Sequence, residues 1–206
     1  MYMWLNRRKF GNTIQTLETY TIDMKLIVIG DSRVGKTNLV NRYCNNDYMK
    51  TYIPTIGIEY NNKHIHKNDF DVKVHIFDSA GQARYRTNTS VYYKAVDAVM
   101  LTYDATNISS FDNLEYWTKE IDLYCNHPIV ILVGCKCDLI GDREVVTNDA
   151  IRFAKKHNYL FRESTNRITS INDPFVTIID QYIHERDNDN DNDNNRLNID
   201  QCCSLL

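Results

Sequence analysis

The sequence predicts an α/β domain with a doubly wound, mostly parallel sheet of six strands flanked by helices, and three observations predict it. Gly30-Asp31-Ser32-Arg33-Val34-Gly35-Lys36-Thr37 matches the phosphate-binding pattern G-x-x-x-x-G-K-[ST]. An apolar run, Met24 to Ile29, precedes it, and apolar residues at helical spacing follow it. Beyond that, short β-type runs alternate with helical periodicity as far as Ile183.

The elements follow in order. Met24–Ile29 reads as a buried strand, and Asn38–Cys44 as the helix after the glycine loop. Residues 45–55 are polar and broken by Pro54, a long loop of the kind that carries function. Ile58–His66 and Asp71–Phe77, the latter alternating Val72, Val74 and Ile76 with Lys73 and His75, read as a hairpin of strands. Asp78-Ser79-Ala80-Gly81-Gln82 follows directly, then a polar loop and short helix to about Ala95. Ala98–Leu101 and Ile129–Val133 are apolar runs typical of buried parallel strands. Between them, Phe111, Leu114, Trp117, Ile121 and Tyr124 recur at steps of three and four and predict a helix. Thr147–His157 reads as a helix with Thr147 as N-cap, and Tyr159–Phe161 as a short sixth strand. Asp173–Ile183 is the last helix, with Asp173 as N-cap and Pro174 as its first residue.

Three segments result. Residues 1–22 lack a sustained period and read as a mobile N-terminal extension, with a short amphipathic piece near Ile14–Leu17. Residues 23–184 form the domain. Residues 185–206 contain an Asp/Asn-rich run too poor in apolar residues to fold, a disordered tether. The 206 residues carry a net charge of −3, which gives no footprint for nucleic acid. No apolar run reaches the roughly 20 residues that span a bilayer. The six cysteines match neither a disulfide framework nor a zinc pattern, so the expected compartment is reducing and intracellular. In Cys135-Lys136-Cys137, Cys137 reads as a small buried residue after a strand.

In a doubly wound sheet, ligands sit beyond the carboxyl ends of the strands. That rule gathers Gly30–Thr37, Asp78–Gln82 and Cys135–Asp138 on one rim. The glycines let successive N–H groups turn toward an anion, and the helix start adds its positive end. Lys36 supplies charge for β- and γ-phosphates, and the Thr37 hydroxyl is suited to Mg²⁺.

Asp78–Gln82 resembles the DxxGQ motif of small GTPases, and Cys135-Lys136-Cys137-Asp138 resembles their NKxD motif. Ile56-Gly57-Ile58-Glu59-Tyr60, Gln82-Ala83-Arg84-Tyr85-Arg86-Thr87, Tyr92-Tyr93-Lys94-Ala95 and Tyr103-Asp104-Ala105-Thr106-Asn107 resemble stretches of the Rab family. Over residues 23–184 the chain is similar to a Rab, a Ras-like G domain with a P-loop NTPase fold. The resemblance implies a GTP/GDP switch that hydrolyses GTP slowly with Mg²⁺ and recruits effectors in membrane trafficking. It implies that residues 30–38, ending in Asn38, hold phosphates, with Lys36 central. Thr37 and Thr55 would ligate Mg²⁺, and Asp78 would do so through water. Gly81 would offer its N–H to the γ-phosphate, and Gln82 would orient the attacking water. Tyr48 would cover the guanine, Lys136 would pack its stem over it, and Asp138 would accept its two N–H donors. Ser164, Thr165 and Asn166 stand where the family has S-A-K. Thr51, Tyr52, Ile53, Pro54 and the stretch Ile56–Tyr60 would form the first switch and effector surface, and Ser79–Ser90 the second switch. The implied partners are an exchange factor, a GTPase-activating protein, effectors, and prenylation-escort and GDP-dissociation-inhibitor proteins, around a monomer.

Cys203-Ser204-Leu205-Leu206 fits C-a-a-X with a geranylgeranyl-type final residue, and Cys202 offers a second chain. Two lipids give stable anchoring. The expected location is cytoplasmic, on the cytoplasmic face of membranes. The chain departs from the family at Cys135, where an Asn is usual, at Thr165 and Asn166, and at Arg33, where a small residue is usual. Its tether is acidic, so targeting would rest on lipids and partners. Two other readings stay open: a Rab-like interaction module that holds guanine weakly and does not cycle, and a kinase of small substrates, for which an Arg-rich lid is lacking.

Overall fold

A computed structural model of the chain describes residues 4–7, 16–45, 47, 53–67, 70–81, 92–165 and 174–203. In chain order the strands are β1 (Trp4–Arg7), β2 (Thr16–Gly30), β3 (Ile58–Lys67), β4 (Phe70–Ser79), β5 (Ala98–Asp104), β6 (Ile129–Cys135) and β7 (Leu160–Glu163). The helices are α1 (Lys36–Asn45), α2 (Ile108–Asp112), α3 (Leu114–Tyr124), α4 (Thr147–Lys156) and α5 (Pro174–Cys203).

The six predicted strands form the order β3-β4-β2-β5-β6-β7. Within that order β3 runs antiparallel to β4 and the other pairs are parallel. Period-2 alternation along β2 explains the two layers. Met24, Leu26 and Val28 bury against Phe175, Ile178 and Ile179 of α5. Ile27 and Ile29 bury on the other face with Leu114, Trp117 and Ile121 of α3 and Ala150 and Ala154 of α4. Full burial of such side chains contributes about 1.5–3 kcal/mol each.

Several boundaries differ from expectation. β2 begins at Thr16, well before Asp23, and β1 pairs with it antiparallel from Trp4↔Thr19 to Arg7↔Thr16. The N-terminal extension therefore continues the sheet at these positions, because Thr, Tyr and Ile from 19 to 22 extend the β-type run. Leu17 is strand, and Ile14 lies outside the described residues. The expected helix over 111–124 begins at Ile108 and is divided at Asn113, with the Asn107 side chain accepting from Ser109 N at its start. Thr147 is the first helical residue of α4 rather than its cap; its hydroxyl donates to Glu163 Oε1 at 2.8 Å.

The last helix also runs on, through the Asp/Asn-rich stretch that composition reads as a tether. No Pro or Gly interrupts residues 175–203. Bonds one turn apart support its near half, Gln181 to Glu185 and Asn188 with His184. Asp173 lies outside the described residues.

Candidate functional site

Parallel registry places the carboxyl ends of β2, β4 and β6 on one rim: Val28 faces Asp78, Gly30 faces Thr102, and Asp104 faces Cys135. The three motifs meet there.

The phosphate loop leaves β2 at Gly30, whose φ is +139°. A Cβ at that position would lie 2.2 Å from the Thr102 carbonyl oxygen, so no other residue fits. Lys36 is buried and donates to the carbonyls of Gly30 at 2.9 Å and Asp31 at 2.6 Å. Its ammonium is thus aimed into the loop at the start of α1, where an anion is favoured. The Asp31 carboxylate accepts from Asn113 Nδ2 at 2.6 Å and from Trp117 Nε1 at 2.9 Å, which clamps the loop to α3. Gly81 abuts the same loop: a Cβ there would lie 2.4 Å from Asp31 C and Ser32 N. Asp31 therefore joins three parts of the site, a role invisible in the motif alone.

Beside Lys36 three oxygens converge. Thr37 Oγ1 donates to Asp78 Oδ2 at 2.5 Å, so the Thr55 hydroxyl, 2.8 Å from Thr37 Oγ1, is the donor of that second bond. Asp78 is fully buried, and its Oδ1 has no hydrogen-bond partner among the described residues. Burial pushes its carboxyl up to about 6, against the lowering effects of the Thr37 hydrogen bond and the Lys36 charge. An orphaned, buried carboxylate oxygen next to two hydroxyls is the donor set a hard divalent cation takes, and it fits Mg²⁺ with a bridging water.

Arg33 is exposed with φ +69°. It therefore points outward, and its cost is backbone strain of about 1–2 kcal/mol.

Across the rim, Cys135 is buried and its thiol is pushed up to about 12, chiefly by burial. Its Sγ lies 3.7 Å from where a Cβ on Gly35 would be. Cys137 is buried too, as expected, and its Sγ donates to the Gly134 carbonyl at 3.3 Å. Cys44, Cys125, Cys135 and Cys137 are all free thiols. Lys136, at φ +59°, pairs its ammonium with Asp104 Oδ2. Asp138 and Thr165 are half-buried on the same side, and Ser164 is buried.

An unpredicted brace supports this loop. Arg143 holds Glu163 with two bonds, at 2.8 and 3.2 Å, and reaches the Cys137 carbonyl at 3.4 Å. Burial alone would raise the Glu163 carboxyl, but bonds from Arg143 and Thr147 overcome it and lower it. Asn113 and Trp117 carry no motif signal, since their partner Asp31 is 82 and 86 residues away, and Arg143 none, since Glu163 is 20 residues away.

Ile53 and Ile56 of the expected first switch are 63% and 79% exposed, and the Tyr60 ring lies tilted beside Phe77, which meets Tyr92. Pro54, Gly57, Ile58 and Glu59 are described with them. Tyr48, Thr51, Tyr52, Gln82 and Asn166 lie outside the described residues, as do 83–90 of the expected second switch. Cys202 and Cys203 fall within the backbone of α5, and their side chains are outside the description, as are residues 204–206.

The family model described as "Ras family" matches residues 25–184. Ras-related protein RABA4d of Arabidopsis thaliana is 41% identical over 157 residues, covering 75% of this chain and 71% of its own. Ras-related protein Rab11B of Nicotiana tabacum is 42% identical over 156 residues, covering 75% and 71%. Ras-related protein RABD2c of Arabidopsis thaliana is 37% identical over 161 residues, covering 77% and 80%. With the phosphate loop, the paired threonines and the buried aspartate in register on one rim, this chain belongs to the Ras family, among its Rab-type members.

Proposed function

We propose that this Rab-type small GTPase is a working GTP/GDP switch, not an interaction module that has lost its cycle. The carrying observation is the hydrogen-bonded run Thr55–Thr37–Asp78 Oδ2, with the other carboxylate oxygen, Oδ1, buried and without a partner among the described residues. Lys36 and the loop N–H groups would hold the phosphates, with Asn38 next along α1. Thr37 and Thr55 would ligate Mg²⁺ directly and Asp78 through water. Bound there, Mg²⁺ would neutralise charge on the β- and γ-phosphate oxygens.

This chain's residues then have defined tasks. Thr55 belongs to the first switch, and its bond to Thr37 ties that segment to the phosphate site. Loss of the γ-phosphate would release it. Gly81 would present its N–H to the γ-phosphate from its place against Asp31, and Gln82 would orient the water. Asp138, with Lys136, Thr165 and Tyr48, would recognise guanine. The exposed Ile53, Ile56, Tyr60 and Tyr92 would dock effectors in the GTP state. Exchange, activating, escort and dissociation-inhibitor proteins would act on the same cycle. Among the described residues no helix is long and apolar enough to cross a membrane. Prenyl groups on Cys202 and Cys203 would supply the attachment to cytoplasmic membrane faces.

Single-turnover hydrolysis with Mg²⁺ tests the switch. Gln82→Leu is expected to slow GTP cleavage by about 10–100-fold without loss of nucleotide binding. Equal rates would remove hydrolysis from the reading.

A further inference from the structure

Helix α1 presents Lys36 and Thr37 to the phosphate site in its first turn and carries Arg42 near its other end. Arg42 Nη2 donates to Ser164 Oγ at 3.0 Å, across 122 residues of sequence. Ser164 is buried and is built into the base-side loop by its backbone. Its N–H donates to the Gly134 carbonyl at 2.7 Å, and its own carbonyl accepts from Cys137 N at 3.3 Å. A force on the Ser164 hydroxyl is therefore a force on the segment holding Asp138 and Thr165.

A second meeting of the two halves is at Cys135 and Gly35. There a Cβ added to Gly35 would lie 3.7 Å from the Cys135 Sγ, so the thiol is close to the phosphate loop, and no hydrogen bond from that Sγ is found among the described residues. A thiol is a weak donor and acceptor in any case. Helix α1 is itself well anchored. Leu39 and Val40 are buried, and Tyr43 stacks on Phe175 with centroids 3.9 Å apart. A guanidinium on such a helix is a fixed, permanently charged donor.

We infer that Arg42 is a positioning residue for guanine. Through Ser164 it fixes the distance between the phosphate end of the site and the carboxylate of Asp138. The inference rests on the GTP-switch reading and deepens it. It makes two demands. Losing the bond must hurt a nucleotide that uses Asp138 fully more than one that does not. Losing it must also matter less when residue 135 can itself bond to the phosphate loop.

Both are measured on the full chain with fluorescent GDP and fluorescent IDP, which lacks the 2-amino group that Asp138 would bind. Arg42→Met is expected to speed GDP release about tenfold and IDP release by no more than about threefold. In the Cys135→Asn background its effect on GDP is expected to shrink to about threefold or less. Ser164→Ala, a smaller change, is expected to reproduce the GDP effect should Arg42→Met fold poorly. Equal factors for GDP and IDP, or the same factor in both backgrounds, would overturn the positioning role and leave Arg42 a brace of α1. A wild-type chain that retains neither nucleotide would overturn the switch reading itself.

Discussion

Asp78→Asn is expected to make the nucleotide-free protein more stable at pH 8 while weakening its hold on Mg²⁺ by about 10–100-fold. The opposite signs come from one cause. The carboxyl of Asp78 is raised from 3.8 to about 6 by burial. A raised folded-state value stabilises the fold fully below pH 3.8, and that contribution is lost as pH rises through about 6. At pH 8 the buried charge therefore costs the empty site roughly 3 kcal/mol. Asparagine is neutral at every pH and avoids it. The empty wild-type protein should lose stability between pH 4 and 7, and the variant should lack that component. With nucleotide and Mg²⁺ present the order should reverse. The same titration makes Mg²⁺-dependent nucleotide retention fall as pH drops below about 6, when a proton takes the oxygen the cation's water needs. Thermal unfolding with and without Mg²⁺·GDP across this range checks each sign. A variant less stable than wild type when empty would show that Asp78 is held by something other than the geometry described.

Cys135→Asn is expected to slow GDP release by roughly 5- to 150-fold, the value of one hydrogen bond regained in a buried place. The wild-type thiol is buried against Gly35 and held neutral, so it gives the pocket packing without polarity. An amide there has donors and an acceptor to offer to the phosphate loop and to the base. Fluorescent GDP release from the two proteins decides it, and equal rates would mean that the base loop is not the weak part of the site.

Much of this was legible in residues 24–163, because strand alternation, glycine spacing and apolar helix faces are local signals. The phosphate loop, the strand-ending Asp78 and the burial of Cys137 follow from them. What was not legible is contact across long separations. Asp31 lies inside the motif, yet its partners Asn113 and Trp117 are 82 and 86 residues away. The brace of Arg143, Thr147 and Glu163 is similarly hidden, and it overrode the expected cap at Thr147. At Thr16–Ile22 and after Glu185 the described backbone departs from the composition reading. Thr16–Ile22 has β propensity without a hydrophobic period, and pairing with β1 and β4 decides its state. The polar run after Glu185 lacks apolar residues but also lacks helix breakers, so α5 continues into it.

The identity and amount of nucleotide bound to the purified full-length protein test the central claim most directly. Guanine nucleotide near one per chain, lost when Mg²⁺ is chelated, is the predicted result. An empty site would contradict the assignment of Lys36 and the Thr37–Thr55–Asp78 cluster, and adenine nucleotide in its place would contradict that of Asp138.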